Sequence, residues 1–241
     1  MSCIEACPNQ AIVKTPDGLV TNRKKCTACG RCAEACAAKS RELIGRTVTV
    51  EEVLSEVVKD KVFYETSGGG VTASGGEPTM QPDFVASLFS KCKSTGIPTA
   101  LDTCGYVKWQ ALESVLEFTD LVLYDLKEIG TENHEKHTGV SPTLIWENAR
   151  RIAELGKPMW VRTPVVPGYT DTEENIRGIA ELCVSLGNVV RLDLLPYHRL
   201  GEPKYKRLDL DYKLKGVQPP TKEHMEELRK VTRQCGVGLV T

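Results

Sequence analysis

The cysteines of this sequence are concentrated near its start and are spaced for metal chemistry. Six of the ten cysteines lie within the first 36 residues. No apolar leader segment or long apolar span accompanies them, so the sequence gives no indication of secretion or membrane insertion. Dense cysteine spacing in that context is typical of metal or redox chemistry rather than of a disulfide scaffold. We therefore expect a cytoplasmic metalloprotein.

The spacing selects the metal. Residues 26–36 read CTACGRCAEAC, a C-x2-C-x2-C-x3-C pattern that matches the bacterial ferredoxin run. Zinc usually takes two C-x2-C pairs separated by a longer loop, and it remains the alternative. In ferredoxins with two clusters, the fourth cysteine of each run ligates the cluster of the other run. The sequence therefore predicts a [4Fe–4S] cluster with these ligands: Cys7, Cys26, Cys29 and Cys32.

Half of a second run stands at the very start, in SCIEACP. A second cluster would take Cys36 and three cysteines of the first run, and only Cys3 of those three is present. One interpretation, which we favour, is that the sequence begins partway through a longer protein; the other is that Cys3 is a spare thiol. Either way, residues 1–45 are predicted to be an incomplete ferredoxin-like domain, held together by metal rather than by a core.

The remaining 196 residues show regular apolar periodicity. Amphipathic helices are predicted in TVEEVLSEVVKD, PDFVASLFSKCK, TEENIRGIAELCVSLG and TKEHMEELRKVTRQCG. On three of these helices Cys92, Cys183 and Cys235 are predicted core residues. Strands buried on both faces are predicted in GVTASG, IPTALDT, LVLYDLK, PMWVRTP and VVRLDLLPYH. Because a closed barrel of eight strands needs about 250 residues, we expect an α/β fold with a partial (β/α) barrel over residues 46–241.

Polar side chains follow the predicted strands at the end where parallel barrels place their active sites. Taken singly, each has an ordinary structural explanation: Asp102 and Asp125 could cap the next segment, Arg162 could form a surface ion pair, and His198 could be structural. Their recurrence on five strands favours one shared site. The residues concerned are Ser74 to Glu77, Asp102, Thr103, Asp125, Lys127, Arg162 and His198.

A glycine-rich loop, SGGGVTASGGEP, carries the most specific signal. It lacks G-K-[ST] and does not fit G-x-G-x-x-G, so neither a Walker loop nor a dinucleotide fingerprint is supported. Gly75 and Gly76 permit close approach to the backbone, and Glu77 adds an anionic acceptor. This combination suits the ammonium group of an amino acid. The alternative is a tight strand-to-helix turn.

Six segments between Gly68 and Pro220 carry a family resemblance: GGGVTASGGEP, ALDTCGY, DLVLYDLK, VRTPVVPGYTD, LDLLPYHRLGEPKY and YKLKGVQPP. In this order they resemble the activating enzymes of glycyl-radical enzymes, which are radical S-adenosylmethionine (SAM) proteins; the activating enzyme of pyruvate formate-lyase is the best-known type. The cysteine-rich segment is similar to the two-cluster ferredoxin insert of one subgroup of that family.

The resemblance implies a site and its chemistry. In the family a reduced [4Fe–4S] cluster chelates SAM and gives one electron to its sulfonium. Cleavage of the bond from sulfur to the 5′ carbon then releases a 5′-deoxyadenosyl radical, which takes a hydrogen atom from a glycine of a partner enzyme. Lys127, Arg162 and His198 match residues that line the carboxylate, sulfonium and ribose region of SAM, and we expect Lys127 and His198 to be catalytic. The SAM-binding residues implied are Ser74, Gly75, Gly76, Glu77, Lys127, Arg162 and His198. A monovalent-cation site is implied at Asp102, Thr103, Asp125 and the backbone of Leu123.

Partners follow from the same resemblance and from the charge. The family implies a glycyl-radical enzyme as partner and an electron donor such as flavodoxin or ferredoxin. A net charge of −1 leaves no excess positive charge for binding nucleic acid or an anionic membrane. We also expect the protein to be a monomer.

One departure from the family is serious. The C-x3-C-x2-C loop that binds the SAM cluster in the family, and the first barrel strand before it, do not occur in this sequence. We interpret both as a lost N-terminus and expect the 241 residues alone not to cleave SAM. Three functions stay open: a truncated activating enzyme, an electron-transfer iron–sulfur protein, and a catalytically silent module that binds a glycyl-radical enzyme.

Overall fold

The protein divides into two compact units. The computed structural model describes residues 2–16, 18–208 and 210–237. The units are Met1–Thr49 and Val50–Thr241, whereas the sequence placed the domain boundary after residue 45.

The first unit is built from short elements. It contains α1 (Ser2–Glu5), β1 (Ile12–Thr15), β2 (Gly18–Thr21) and α2 (Arg31–Glu34). β1 and β2 form an antiparallel hairpin, and α1 contacts both α2 and β1. Among the residues described in this unit, burial is limited to Cys3, Ala11, Ile12 and Gly30. So small an apolar interior supplies little of the hydrophobic stabilisation that holds a domain together.

The second unit alternates helices and strands. In chain order its elements are α3 (Val50–Val57), α4 (Lys61–Ser67), β3 (Val71–Ala73), α5 (Pro82–Ser94), β4 (Thr99–Thr103), α6 (Trp109–Leu116), β5 (Leu121–Asp125), α7 (Thr131–Thr138), α8 (Thr143–Glu154), β6 (Met159–Val165), α9 (Glu173–Leu186), β7 (Val189–Pro196), α10 (Glu202–Arg207) and α11 (Lys222–Gln234). The strands form one parallel sheet in the order β3-β4-β5-β6-β7. The predicted α/β class and all five predicted strands are confirmed.

The two faces of this sheet differ, which corrects the prediction of strands buried on both faces. Along β4 and β6, buried and half-buried residues alternate strictly. Leu101, Tyr124 and Val161 face the core and are fully buried. The opposite face carries Asp102 and Arg162, which are half-buried. Because side chains alternate between faces along a strand, polar residues in these strands reach the less covered face without entering the core.

The main core lies between the buried face of the sheet and the helices. Phe89 on α5 and Leu112 on α6 are completely buried there, and burial of such a side chain stabilises the fold by about 2–3 kcal/mol. Cys92 and Cys183 are buried, as predicted, and Cys235 packs against the core while half-buried. Burial raises the pKa of Cys183 to about 12, so this thiol stays protonated.

Helix α3 covers a smaller apolar cluster formed by Leu88, Cys92 and Ile97. Its apolar stripe packs as predicted through Val50, Val53, Leu54 and Val57. Val58 belongs to the same predicted amphipathic segment but is 39% exposed, because the α-helix ends at Val57 and a 3₁₀ turn begins at Val58. Over the described ranges, no helix combines the length and apolar character that crossing a bilayer requires.

Candidate functional site

Within the first unit, the cysteines occupy a local structural repeat. The peptide N–H of Cys7 donates to Ile4 O at 3.2 Å, and that of Cys36 donates to Ala33 O at 3.1 Å. Three residues after each of these cysteines the backbone has a φ of 49°. The repeat pairs Cys3 with Cys32, Cys7 with Cys36, and Gln10 with Lys39.

The thiols of this unit receive hydrogen bonds that favour the thiolate. The N–H of Ala11 lies 3.2 Å from Cys7 Sγ and lowers the pKa of Cys7. The Ser40 hydroxyl, 3.3 Å from Cys36 Sγ, lowers the pKa of Cys36. Since the thiolate is the form that binds metals, both positions are suited to cluster ligation.

No three His, Cys, Asp or Glu side chains in the described part of the chain are grouped closely enough to hold a single metal ion. A [4Fe–4S] cluster keeps its four thiolates further apart than one ion does, because irons and sulfides lie between them. The ligand set Cys7, Cys26, Cys29 and Cys32, with Cys3 and Cys36 in a second, incomplete cluster, therefore stays a prediction.

In the second unit, strand register brings an arginine between two aspartates. Asp125 on β5 is paired with Arg162 on β6. The Arg162 guanidinium donates Nη2 to Asp125 Oδ1 at 2.8 Å and Nη1 to Asp102 Oδ2 at 3.2 Å, and Nη2 also bonds to Asp102 Oδ1. Ser74 Oγ donates to Asp102 Oδ2 at 2.8 Å. Residues from three strands and the loop after β3 thus share one hydrogen-bonded network.

Arg162 is a permanent cation at the centre of this network. Burial alone would lower the pKa of Arg162, but the hydrogen bonds and charges of Asp102 and Asp125 raise it. The guanidinium Nε is buried and has no hydrogen-bond partner among the described residues. An unpartnered buried donor is costly, so Arg162 retains capacity for one further acceptor.

Lys127 adds a second cation. Its Nζ lies 3.4 Å from Asp125 Oδ2, and its side chain remains one-third exposed. The ammonium group is therefore close to the network and still accessible to a ligand.

Glu77 anchors the glycine-rich loop. Its Oε1 accepts from Thr79 Oγ1 at 2.6 Å, Thr103 Oγ1 at 2.8 Å and Thr79 N at 3.2 Å, and its Oε2 accepts from Cys104 N at 3.0 Å. Burial alone would raise the pKa of Glu77, but these hydrogen bonds hold it below its usual value. The carboxylate is therefore ionised and largely engaged by the protein itself, so its predicted role toward an ammonium group falls mainly to Oε2.

The backbone before Glu77 is open. In the part of the chain that the structure describes, Gly75 and Gly76 make no backbone hydrogen bond. Gly75 has a φ of +130°, and a Cβ added at either glycine would meet nothing within 4 Å. The glycines leave accessible donors and acceptors beside the Arg162 network.

His198 shares no hydrogen bond with this group among the described residues, and its place in the shared site stays a prediction. It is exposed, its Nδ1 accepts from Leu200 N at 3.3 Å, and no contact among the described residues links it to Arg162 or Glu77. Arg162 pairs with Asp193, so His198 lies five residues, roughly 16 Å, further along. Arg162 also lies inside β6, not at its end, because pairing with β7 continues to Val165.

The residues predicted to bind a monovalent cation do not all face the same side of the sheet. Asp102 and Asp125 face the same side of the sheet, but both bind Arg162. Thr103 faces the core, where its hydroxyl donates to Glu77 and accepts from Gly105 N at 3.0 Å. Leu123 pairs with Asp102 on the neighbouring strand. A cation at these four residues stays a prediction.

Sequence reasoning missed two partners of Glu77. Thr79 is 2% exposed and supplies two of its hydrogen bonds, while Cys104 supplies a peptide N–H. The signal for Thr79 was present, since an acidic residue before Pro at a helix start is a capping position. Cys104 contributes only its backbone N–H, so its residue type could not indicate this contact.

Comparisons with known proteins identify the family of this chain. The Radical SAM superfamily matches residues 23–182. The isethionate sulfite-lyase activating enzyme of Oleidesulfovibrio alaskensis is 46% identical over 211 residues, covering 86% of this chain and 68% of that protein. The (2S)-3-sulfopropanediol dehydratase activating enzyme of Klebsiella oxytoca is 39% identical, and the match covers 99% of this chain and 78% of that protein. That match includes the cysteine-rich segment.

Pyruvate formate-lyase relatives extend the comparison. The pyruvate formate-lyase 1-activating enzyme of Escherichia coli is 43% identical, over 80% of this chain and 79% of that protein. A solved domain of a pyruvate formate-lyase activating enzyme from Bacteroides vulgatus superposes with a TM-score of 0.60 at 29% identity, covering 72% of this chain and 99% of that one. The chain belongs to the Radical SAM superfamily and, within it, to the activating enzymes of glycyl-radical enzymes.

Proposed function

We propose that the SAM-binding site of this activating enzyme lies at the end of the sheet formed by the carboxyl ends of its parallel strands. The backbone of Ser74, Gly75 and Gly76, with Glu77 Oε2, surrounds the ammonium group of SAM, and Lys127 and Arg162 face its carboxylate. The observation that carries the proposal is the unpartnered, buried Nε of Arg162, in a hydrogen-bonded network that reaches Ser74 next to the open backbone of Gly75 and Gly76. A zwitterion requires this pairing of cations and acceptors.

The remaining predicted residues take roles at the two ends of the ligand. SAM extends from its amino-acid end through the sulfonium to the nucleoside, so we assign exposed His198, on the loop after β7, to the nucleoside end. A monovalent cation at Asp102 and Asp125 would compete with Arg162 for the same carboxylate oxygens.

The family uses a [4Fe–4S] cluster together with SAM. That cluster supplies the electron that cleaves SAM. The sequence has no C-x3-C-x2-C triplet, so the residues present do not fit the SAM-bound cluster. Cys7, Cys26, Cys29 and Cys32 fit a different cluster, one with cysteine on all four irons.

Partner assignment follows the relatives. Those relatives are named as activating enzymes of a sulfite-lyase, a dehydratase and a formate-lyase, and we propose that this chain likewise activates a glycyl-radical enzyme. We further propose a flavodoxin or ferredoxin as electron donor and a cytoplasmic monomer as the working form. Its cysteines, spaced for metal rather than disulfides, support that location.

Equilibrium dialysis of the full chain against SAM tests the site. Wild type should bind, and Arg162→Lys should bind about tenfold more weakly, because lysine keeps the charge but loses the guanidinium fork. Lys93→Arg is the matched control, since Lys93 pairs with Asp120 at the opposite end of the sheet, and it should bind like wild type. An iron-loaded chain that does not bind SAM would instead support the electron-transfer function.

A further inference from the structure

One buried asparagine joins the loop after β5, which carries Lys127, to the loop after β6. Asn175, on the first turn of α9, is 2% exposed. Its Oδ1 accepts from Ile129 N at 2.8 Å, and its Nδ2 donates to Thr170 O at 2.9 Å and to Lys127 O at 3.2 Å. The side-chain amide therefore uses three of the four hydrogen bonds that it can make.

These bonds are not part of the helix cap. The Thr172 side chain caps α9 by accepting from Asn175 N at 3.2 Å. The amide of Asn175 points instead to backbone groups that follow β5 and β6. Because a buried amide is costly unless its partners are in place, its three bonds hold those backbone groups at fixed positions.

A second contact from α9 holds the same segment. A Cβ added at Gly178 would lie 2.9 Å from Ile129 Cγ2 and 3.0 Å from Ile129 Cγ1. The missing side chain at Gly178 thus forms a notch that Ile129 fills. Helix α9 thus contacts both the peptide N–H and the side chain of Ile129, which lies two residues after Lys127.

We infer that Asn175 is a positioning residue for Lys127. The lysine stem is flexible and one-third exposed, so the fixed part of its geometry is the backbone from which it projects. Asn175 and the Gly178 notch set that backbone and tie it to the loop after β6. This inference rests on the proposed function, because it assigns Lys127 to the carboxylate of SAM.

A double-mutant cycle on SAM affinity tests the inference in the full chain. We expect Lys127→Ala and Asn175→Ala each to weaken SAM binding by about tenfold, and the double variant to be little weaker than either one, because both changes remove the same interaction. A double variant about a hundredfold weaker than wild type would show independent effects and overturn the inference. Wild-type affinity in Asn175→Ala would also overturn it.

Two further variants separate positioning from general loss of stability. Gly178→Ala improves helix propensity yet displaces Ile129, so it keeps the test valid if Asn175→Ala does not fold. It should weaken SAM binding severalfold, and this effect should vanish in the Lys127→Ala background. Persistence of the effect there would contradict the inference.

Asn188→Ala is the matched control. Asn188 donates Nδ2 to Lys157 O at 2.6 Å at the other end of the sheet, and its loss should leave SAM affinity unchanged. An equal loss of affinity in Asn188→Ala would attribute the effect to loosening of the fold and overturn the inference. Failure of wild type to bind SAM would reject the proposed function and this inference together, whereas additive effects in a chain that binds SAM would reject the inference alone.

Discussion

The two units contain the same reactive residue type in opposite environments. In the first unit cysteines are exposed or half-buried, apart from Cys3, and hydrogen bonds lower the pKa of Cys7 and Cys36. In the second unit burial raises the pKa of Cys92 and Cys183. A cysteine beside polar backbone groups is suited to bind metal, whereas one inside an apolar core behaves as a small hydrophobic residue.

The stability of the two units differs for the same reason. The second unit has a continuous apolar core between helices and sheet. The first unit buries very few of its described side chains, so we expect its folding to depend on the cluster.

The largest expected effect is on iron content. Cys29→Ala should abolish the cluster, because one of four ligands is lost, while Cys92→Ala should retain it, because Cys92 lies in the core. Iron and labile sulfide measured after anaerobic reconstitution would check this, with about four irons per wild-type chain. Equal iron loss in the two variants, or a colourless zinc protein, would contradict the assignment.

Limited proteolysis sharpens the same comparison. In Cys29→Ala we expect rapid cleavage within residues 1–49 and a resistant fragment covering the second unit, since its core does not depend on metal. In Cys92→Ala we expect the second unit to be cleaved faster than the first unit. Cleavage of wild type and Cys29→Ala at the same rate would show that the first unit folds without its cluster.

A glycine in the second unit provides a test of its metal-independent core. Gly105 has a φ of +69°, and a Cβ there would lie 1.8 Å from Tyr124 Oη. Tyr124 is fully buried and donates its hydroxyl to Ile145 O at 2.7 Å, so it has no space to move aside. Gly105→Ala should lower the free energy of unfolding by about 4 kcal/mol, from strain and overpacking together.

Gly187→Ala is the control for that variant. Gly187 has a similar φ of +73° but open space around it, so alanine should cost only about 1 kcal/mol. Urea unfolding followed by tryptophan fluorescence reports on the second unit, because all three tryptophans lie there. Equal losses in the two variants would show that backbone strain, rather than the contact with Tyr124, is what matters.

The smallest expected effect concerns the charge of Glu77. Its folded pKa lies below the ordinary value of 4.5, so the ionised carboxylate stabilises the fold above pH 4.5, and this contribution is lost as the pH falls through the folded pKa. Glu77→Gln should cost about 2 kcal/mol at pH 7, and the difference from wild type should shrink in acid.

Urea unfolding at a series of pH values checks this prediction. Glu51→Gln is the control, because Glu51 is an exposed partner of Lys91 and surface ion pairs contribute little. A difference between wild type and Glu77→Gln that does not change with pH would show that the charge of Glu77 is unimportant.

Local patterns determined the elements and the kind of chemistry. Short apolar runs located the five strands of the parallel sheet, and helical periodicity located α3, α5, α9 and α11, because both patterns are set within a few residues of sequence. The order of the motifs from Gly68 to Pro220 indicated the family. The cysteine spacing indicated an iron–sulfur cluster, since ligands close in sequence must also be close in space.

Only the tertiary structure decided which polar groups meet. Arg162 bonds to Asp102, 60 residues away, and Glu77 bonds to Thr103, 26 residues away. His198 lies outside the network although its sequence position resembles the others. The register and length of neighbouring parallel strands set these outcomes, and they depend on how helices pack over the sheet, not on any short stretch of sequence.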